Sequence, residues 1–483
     1  MYHIQQQSLF SFDELMKMSA ESKYSVVLEE LPMSRILLAI NKRSPLGRPE
    51  RLNVRAMIYA LFIGKMEHIR FTKDLIYRLR KDVEFRACCR FTDSEPIPSE
   101  ASFSRLITKL ERTNILAEIQ DFIVDQAITE GFLSGETLAL DSSHIEAFER
   151  NPNLDKPKAE KAESSTVEWE ASALLIEESC RSLENIKPLK PKRAKRGRVP
   201  KAEQEAWRQQ MEAYEASLSL FEREIANMLP ASYDELIADL PQWASVGAKG
   251  DHRGKRHTKF WYGYKVNLLV DTASQYIVTS VNCSGHVSDQ RPAIVLLKRL
   301  KERFPSLQVK HILADKGYDG EPVYKQIRDV GAFGLIPLIH RCELPAGMDK
   351  HFRPQCQQGH SYRYDSYDAK RDTIKWTLPK ECASCPFQGQ GCQKVVKKKM
   401  AENVRKYTAP GRGSAKFAEL FKQRTAVERV FAYLKLYFEM GSSRKRKKRA
   451  LVDLDLSCLV YNVCKLGLDR LNQNIRAAKK QAV

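Results

Sequence analysis

A chain of 483 residues is long enough for two to four domains with ample buried core, which excludes a marginal miniprotein. Its 80 Lys and Arg against 60 Asp and Glu leave a net charge of +20, favouring a polyanionic partner, nucleic acid first, over a pocket for acidic metabolites. The eleven Cys are an odd count, the opening MYHIQQQSLFSFDELMK lacks a basic-then-apolar leader, and no 18 consecutive residues are apolar, so the expectation is a soluble, cytoplasmic protein with no membrane partner and no disulfide framework.

After about 50 residues of weak pattern, Asn53 to Met66 shows a helical period in Val54, Met57, Ile58, Leu61 and Phe62. Thr72 to Arg90 repeats it, with Leu75, Ile76, Leu79 and Val83 inward. Ile97-Pro98-Ser99 signals a helix start with Ser99 as N-cap. The helix from Glu100 buries Phe103, Leu106, Ile107 and Leu110 and offers Ser102, Arg105, Lys109 and Arg112 on its other side, either a DNA-recognition face or a solvated basic one. A further helix, Ile115 to Glu130, ends at Gly131 in the C-cap position.

From Glu136 the period changes, and Thr137 to Leu140 reads as a strand delivering Asp141 at its end. Residues 151–250 shift to Lys, Glu and Ala. They include the run Lys187 to Lys201, eight basic residues with three prolines, read as a flexible basic linker between helices. Lys259 to Asp271 and Tyr276 to Cys283 predict an antiparallel hairpin, followed by a helix through Phe304. Leu307 to Ala314 is a second strand ending in an acid, Asp315. A short helix, Glu321 to Val330, and a strand, Phe333 to Ile339, complete a mixed sheet with helices on its faces.

The stretch Phe421 to Lys435 places Arg424, Glu428 and Lys435 on one helical face beside an apolar arc of Val427, Val430, Phe431 and Leu434. Asp141, Asp315 and Glu428 repel one another unless cations lie between them, a set that suits two Mg²⁺ (or Mn²⁺) ions acting on a phosphodiester, with Arg424 and Lys435 adding positive charge near the DNA backbone. His144 and His286 stand beside this set and are expected to hydrogen-bond rather than to ligate.

These residues resemble those of the DDE transposases of bacterial insertion sequences, in the group whose last acid carries the signature Tyr-x2-Arg-x3-Glu-x6-Lys. Here it stands as Phe421-x2-Arg424-x3-Glu428-x6-Lys435, the aromatic lacking its hydroxyl. LALDSSHIEA, FWYGYKVNLLVD, GHVSDQ and ILADKGYDG are similar to the family's strand blocks in the expected order. The resemblance implies an RNase H-like α/β core, an N-terminal helical DNA-binding region, Mg²⁺ dependence, and excision and integration at terminal inverted repeats by a homodimer on paired ends. Double-stranded DNA is then the partner, with nucleoid association when bound. A catalytically inactive DNA-binding derivative and a metal-dependent nuclease without strand transfer stay open beside it.

The expected organisation is a helical DNA-binding domain over 1–133, core segments over 134–150 and 251–339, a helical basic insertion over 151–250, a Cys-rich insertion over 340–412, and the Glu428 helix with a closing helix over 413–483. In the Cys-rich insertion, Cys356, Cys382, Cys385 and Cys392 would hold one structural Zn²⁺ as thiolates, with His360 as substitute ligand. Unligated thiols and a disulfide are the alternatives. The basic run Arg444 to Arg449, including Arg446, Lys447 and Lys448, is a DNA contact or a solvated stretch.

Overall fold

Leu138, Ala139 and Leu140 are fully buried, as expected of a short apolar run that forms a strand paired on both edges. The computed structural model describes residues 10–40, 52–151, 191, 200–251, 254–340, 344–387 and 392–481. In it this strand, β1 (Thr137–Glu146), lies at the centre of a six-stranded sheet. β3 (Gly254–Asp271) runs antiparallel to β1. Along its far edge β3 pairs first with β2 (Ser245–Asp251) and then with β4 (Ile277–Ser284). On the other side of β1, β5 (His311–Ala314) and then β6 (Phe333–Leu335) run parallel to it.

Antiparallel neighbours need only a turn, here stapled by the Asp271 carboxylate, which accepts from the Ser274 amide at 2.8 Å. Parallel neighbours need crossover helices. Gln290–Arg303 and Glu321–Asp329 supply them. The order β4-β3-β1-β5-β6, antiparallel in one half and parallel in the other, is the RNase H-like mixed sheet, flanked by helices.

Among the described residues, eight helices between Phe12 and Thr129 share one continuous apolar core with this sheet through the 34-residue helix Lys448–Gln481. That helix also closes the edge of β4. Buried Asn462 accepts from the Ile277 amide at 3.0 Å and donates to its carbonyl at 2.8 Å, so the strand edge offers no free pairing there.

Several boundaries differ from expectation. Phe12–Lys17, Ala20–Leu28 and Met33–Ile40 are helical where the pattern is weak. Thr72 to Arg90 breaks into two helices at Asp82, whose carboxylate caps the second by accepting from the Phe85 amide at 2.9 Å. β1 does not stop before Asp141 but continues to Glu146, because β3 goes on pairing with it after β5 has ended. β5 and β6 are shorter than predicted, and the edge strand β2 is an addition. The Lys187 to Lys201 run lies largely outside the described residues, and the helix that follows, Lys201–Ser217, has no buried residue.

The Cys-rich insertion contains a three-stranded sheet of its own, β7 (Arg363–Asp368), β8 (Thr373–Thr377) and β9 (Val395–Lys399). Its separate small core comprises Tyr362, Ile374, Trp376, Met400 and Tyr407. A buried ion pair fastens it to the main sheet: Arg405 donates Nε and Nη2 to the fully buried Asp319 carboxylate at 2.9 and 2.7 Å. Removing one partner leaves a buried charge unmatched, so Arg405→Ala should destabilise the protein by about 3–5 kcal/mol in urea unfolding. A loss under about 1 kcal/mol would show that Asp319 is satisfied without it.

Candidate active site

The parallel register of β1 and β5 sets the centre of the site. Thr137 to Leu140 pair with His311 to Ala314, and the last pair is Leu140 with Ala314. The next residues on the two strands are Asp141 and Asp315, so both acids stand side by side at the carboxyl end of the parallel pair, where neighbouring strands are about 4.8 Å apart. Asp141 is half-buried, and its Oδ1 accepts from the Ser142 amide at 2.8 Å. Asp315 is exposed and caps the following turn, its Oδ1 accepting from the Gly317 amide at 2.8 Å.

Glu428 reaches this end of the sheet from helix Thr425–Tyr437, whose buried Val427, Val430, Phe431 and Leu434 form the packed side. Phe421 to Lys435 is not one continuous helix. Gln423 and Arg424 form a turn after helix Ala415–Lys422, and Arg424 occupies the N-cap position of the next. The guanidinium therefore points along two directions, to Glu428 Oε1 at 2.6 Å and to Asp141 Oδ2 at 3.6 Å. Phe421, in the aromatic place of the signature, lies 5.9 Å from this guanidinium and stacks on Phe417.

Electrostatics match the crowding. Burial, above all, pushes the Asp141 carboxyl up to about 6; Asp315 adds to this, while the Ser142 amide, Arg424 and Lys249 oppose it. Lys435 is pulled below the usual ammonium range by burial and by Lys249, against the attraction of Asp141. His144 packs 5.0 Å from Trp261, and burial, Lys435 and Lys249 lower its pKa. His286 shares a 2.8 Å hydrogen bond with Ser245 on β2, in line with the expectation that it hydrogen-bonds.

Three participants went unread in the sequence. Lys249, on β2, supplies positive charge from a strand that was not predicted. Lys265 on β3 donates to Asp289 Oδ1 at 3.0 Å and to the Val287 carbonyl at 2.9 Å, and Ser142 Oγ donates to the same Asp289 oxygen at 3.1 Å. Asp289 lies in the GHVSDQ block, Lys265 in FWYGYKVNLLVD and Ser142 in LALDSSHIEA, but none of these blocks shows by itself that the three side chains meet.

The expected DNA-contact residues form two neighbouring groups. Arg105 and Arg112 are exposed and Lys109 half-exposed on helix Glu100–Thr113, but Ser102 is buried and belongs to the packed side. Arg449 donates to Ser104 of that helix at 2.6 Å, and Lys448 lies 4.0 Å from its Glu111. Arg446 covers Phe148 at 5.2 Å, and the Lys447 amide donates to Glu149. The basic run thus bridges the end of β1 and the Glu100–Thr113 helix.

The donor set Asp141, Asp315 and Glu428 offers oxygen alone, which suits a hard divalent cation. Among the described residues no three His, Cys, Asp or Glu side chains are already closed into a metal cage, and Arg424 stands between Asp141 and Glu428. Because Asp141 keeps its proton to higher pH when folded than when unfolded, stability falls as pH rises from the ordinary carboxylate range through about 6. Without divalent cations, Asp141→Asn should therefore stabilise the protein near neutral pH by about 1–2 kcal/mol and give no gain near about pH 4. Equal denaturant midpoints at neutral pH would contradict this.

Two family descriptions match the chain: a Transposase DDE domain over residues 238–463 and a Transposase domain (DUF772) over residues 13–109. The first takes in Asp315, Arg424, Glu428 and Lys435; Asp141 lies between the two matched stretches, and its place beside Asp315 comes from strand register. No curated protein matches. Among solved structures, a cryo-EM piggyBac transposase synaptic complex with hairpin DNA is similar over 96% of this chain and 75% of that one, at 11% identity and a TM-score of 0.35, a likeness too slight to carry an argument. With a transposase domain over its N-terminal helices and a DDE domain over most of its sheet and its Glu428 helix, the chain belongs to the DDE transposases of the insertion-sequence kind.

Proposed function

We propose that this transposase binds the terminal inverted repeats of its element, cuts the DNA there, and joins the resulting 3′ ends to target DNA. The observation that carries the reading is the position of Asp141 and Asp315, each directly after the last pair of β1 with β5, with Glu428 tied to the same point through Arg424. Asp141, Asp315 and Glu428 would hold Mg²⁺ (or Mn²⁺), which when bound supplies Lewis-acid polarisation of the phosphodiester and an activated water or 3′-hydroxyl at neutral pH.

The chain's own residues supply the rest. Arg424, within reach of both Asp141 and Glu428, would offer its guanidinium to a phosphate oxygen, and Lys435 is a second positive group on the same helix. Arg105, Lys109 and Arg112, with Arg446, Lys447 and Lys448, would hold the DNA backbone away from the reacting bond. Two ends cut together require two copies of the site, so a homodimer on paired ends belongs to this reading.

The test is Mg²⁺-dependent cleavage of DNA carrying the ends that flank the gene, comparing native protein with Asp141→Ala, Asp315→Ala and Glu428→Gln at matched DNA occupancy. Each variant should lose at least about 10²-fold in rate, the several kcal/mol that metal-assisted displacement depends on. Cleavage at native rate by any of them would remove that acid from the site, and failure to capture plasmid target by the native protein would leave a nuclease. Changing Arg446, Lys447 and Lys448 together to Gln should flatten the dependence of log affinity on log salt by about 0.9 for each phosphate that these three side chains neutralise. An unchanged slope would place this run off the DNA.

A further inference from the structure

β3 is 18 residues long, but only its second half belongs to the main sheet. Gly263 pairs with Glu146, the last residue of β1, and the pairs with β4 begin at Tyr264. Before Gly263 the ladder of β3 is with β2 alone, from Tyr262 with Val246 to Lys259 with Lys249, and again at Gly254 with Asp251 beyond a bulge. β2 and the first half of β3 therefore form a two-stranded ribbon. It leaves the sheet at the carboxyl end of β1, the end toward which Asp141 and Asp315 stand.

The ribbon is fastened at its root. Trp261 lies across β2 at Gly247, where a Cβ would fall 2.3 Å from the indole Cζ2, so only glycine admits the ring. The same indole is 5.0 Å from the His144 ring, and the Lys265 ammonium lies 5.9 Å from its centroid. Side chains alternate along a strand, and directly paired residues share a face. Lys249 and Lys259 therefore stand on the face of Trp261, Lys265 and His144.

The charge on this face is unbalanced. Lys249 and Lys259 are directly opposed like charges, an arrangement that weakens a ribbon unless something negative lies over it. Both are exposed, and among the described residues neither ammonium has an ion pair or a hydrogen bond. Lys255 and Arg256 precede Lys259 on the same strand. The other face differs: there Phe260 is 59% exposed, opposite Ala248.

We infer that this ribbon is a further DNA-binding element: the duplex whose phosphodiester meets the acids runs on along it, and Lys249 and Lys259 each hold a backbone phosphate. The inference rests on the reading of the chain as a DNA-cutting transposase. A two-stranded ribbon is narrow enough to follow a duplex groove, and lysine is a point-charge partner for phosphate. Lys259 lies nine residues before Leu268, the partner of Asp141, so at most about 30 Å of strand separates it from that acid, close to one turn of B-DNA. The contact therefore falls on the same duplex, within about one helical turn of the cleaved bond.

The experiment measures affinity without divalent cation, by fluorescence anisotropy over a salt series, on a duplex carrying the element's end and on one of unrelated sequence. Changing Lys249 and Lys259 together to Gln should flatten the slope of log affinity against log salt by about 1.8 on both duplexes, about 0.9 for each phosphate released. Phe260→Ala, on the opposite face, should leave the slope unchanged. Hydroxyl-radical footprinting of the end duplex should show the double variant losing protection within about one helical turn of the cleavage position and keeping it elsewhere. Native binding with an unchanged slope in the double variant would overturn the inference alone, leaving the two lysines as guards of an open sheet edge. An equal flattening by Phe260→Ala, or protection lost only at more distant positions, would overturn it as well. Failure of the native protein to bind either duplex would overturn the transposase reading together with it.

Discussion

Two carboxylates placed side by side at the end of a four-residue parallel ladder repel each other, and much of the neighbouring charge answers that repulsion. The ladder leaves no choice: once Leu140 pairs with Ala314, Asp141 and Asp315 are neighbours. The protein accommodates the repulsion by keeping Asp141 partly withdrawn from water, which holds its proton up to about pH 6, and by aiming Arg424 and Lys249 at it. It also immobilises both acids through backbone amides, Ser142 for Asp141 and Gly317 for Asp315. Fixed acids with fixed partners keep their geometry when a cation arrives, which is the preorganisation that phosphodiester chemistry rewards.

Arg424 is the cation already present. Its guanidinium bridges Asp141 and Glu428, two members of the acid set, at a point that an oxygen-bound ion would also favour. The pair with Glu428 is solvent-facing on the glutamate side and hence weak enough to exchange. The loss of the signature hydroxyl at Phe421 fits the same picture. What remains is the ring, stacked on Phe417 and close to the guanidinium, so the aromatic position supports Arg424 by its face alone. The helix carrying Glu428 is held from outside as well, by Tyr433 and Tyr437 against Asp13 of the first helix.

Much of this was legible in the sequence for a physical reason: the core strands are short apolar runs and the helices carry capping residues. Ser99 caps the helix from Glu100, and Gly131 takes the left-handed position after Thr129, both as their residue types predict. The acids were legible because each follows or interrupts an apolar run. What stayed hidden is tertiary. Nothing local tells β1 to continue past Asp141; it does so because β3 is 18 residues long and keeps pairing with it. Lys249, Lys265 and Asp289 are ordinary charged residues in sequence and acquire roles only through register. The β7–β9 sheet was missed because its strands are short and two of them carry no buried residue: Val395 to Lys399 is rich in lysine and Arg363 to Asp368 has no aliphatic residue, so only Thr373 to Thr377 shows the alternation of a half-buried strand.

The Cys-rich insertion enters and leaves the core at one buried polar knot, which explains how a segment of that length is accommodated so near the acids. At its start, the Ile339 amide donates to Asp319 at 2.6 Å. At its end, Arg405 donates to Asp319 and to the Ile339 carbonyl, and Arg412 donates to the Ile336 carbonyl and to the Tyr324 hydroxyl. With both ends clamped to each other, the core sees a closed loop, and the entropy of closing such a loop grows only slowly with what is placed inside it. Asp319 lies four residues beyond Asp315 on the same turn, so the knot that anchors the insertion also holds the second acid's turn against the sheet. The anchor and the candidate site therefore share one structural requirement, a rigid Asp315–Asp319 turn, and a substitution that loosens the knot would act on that site without touching any acid in it.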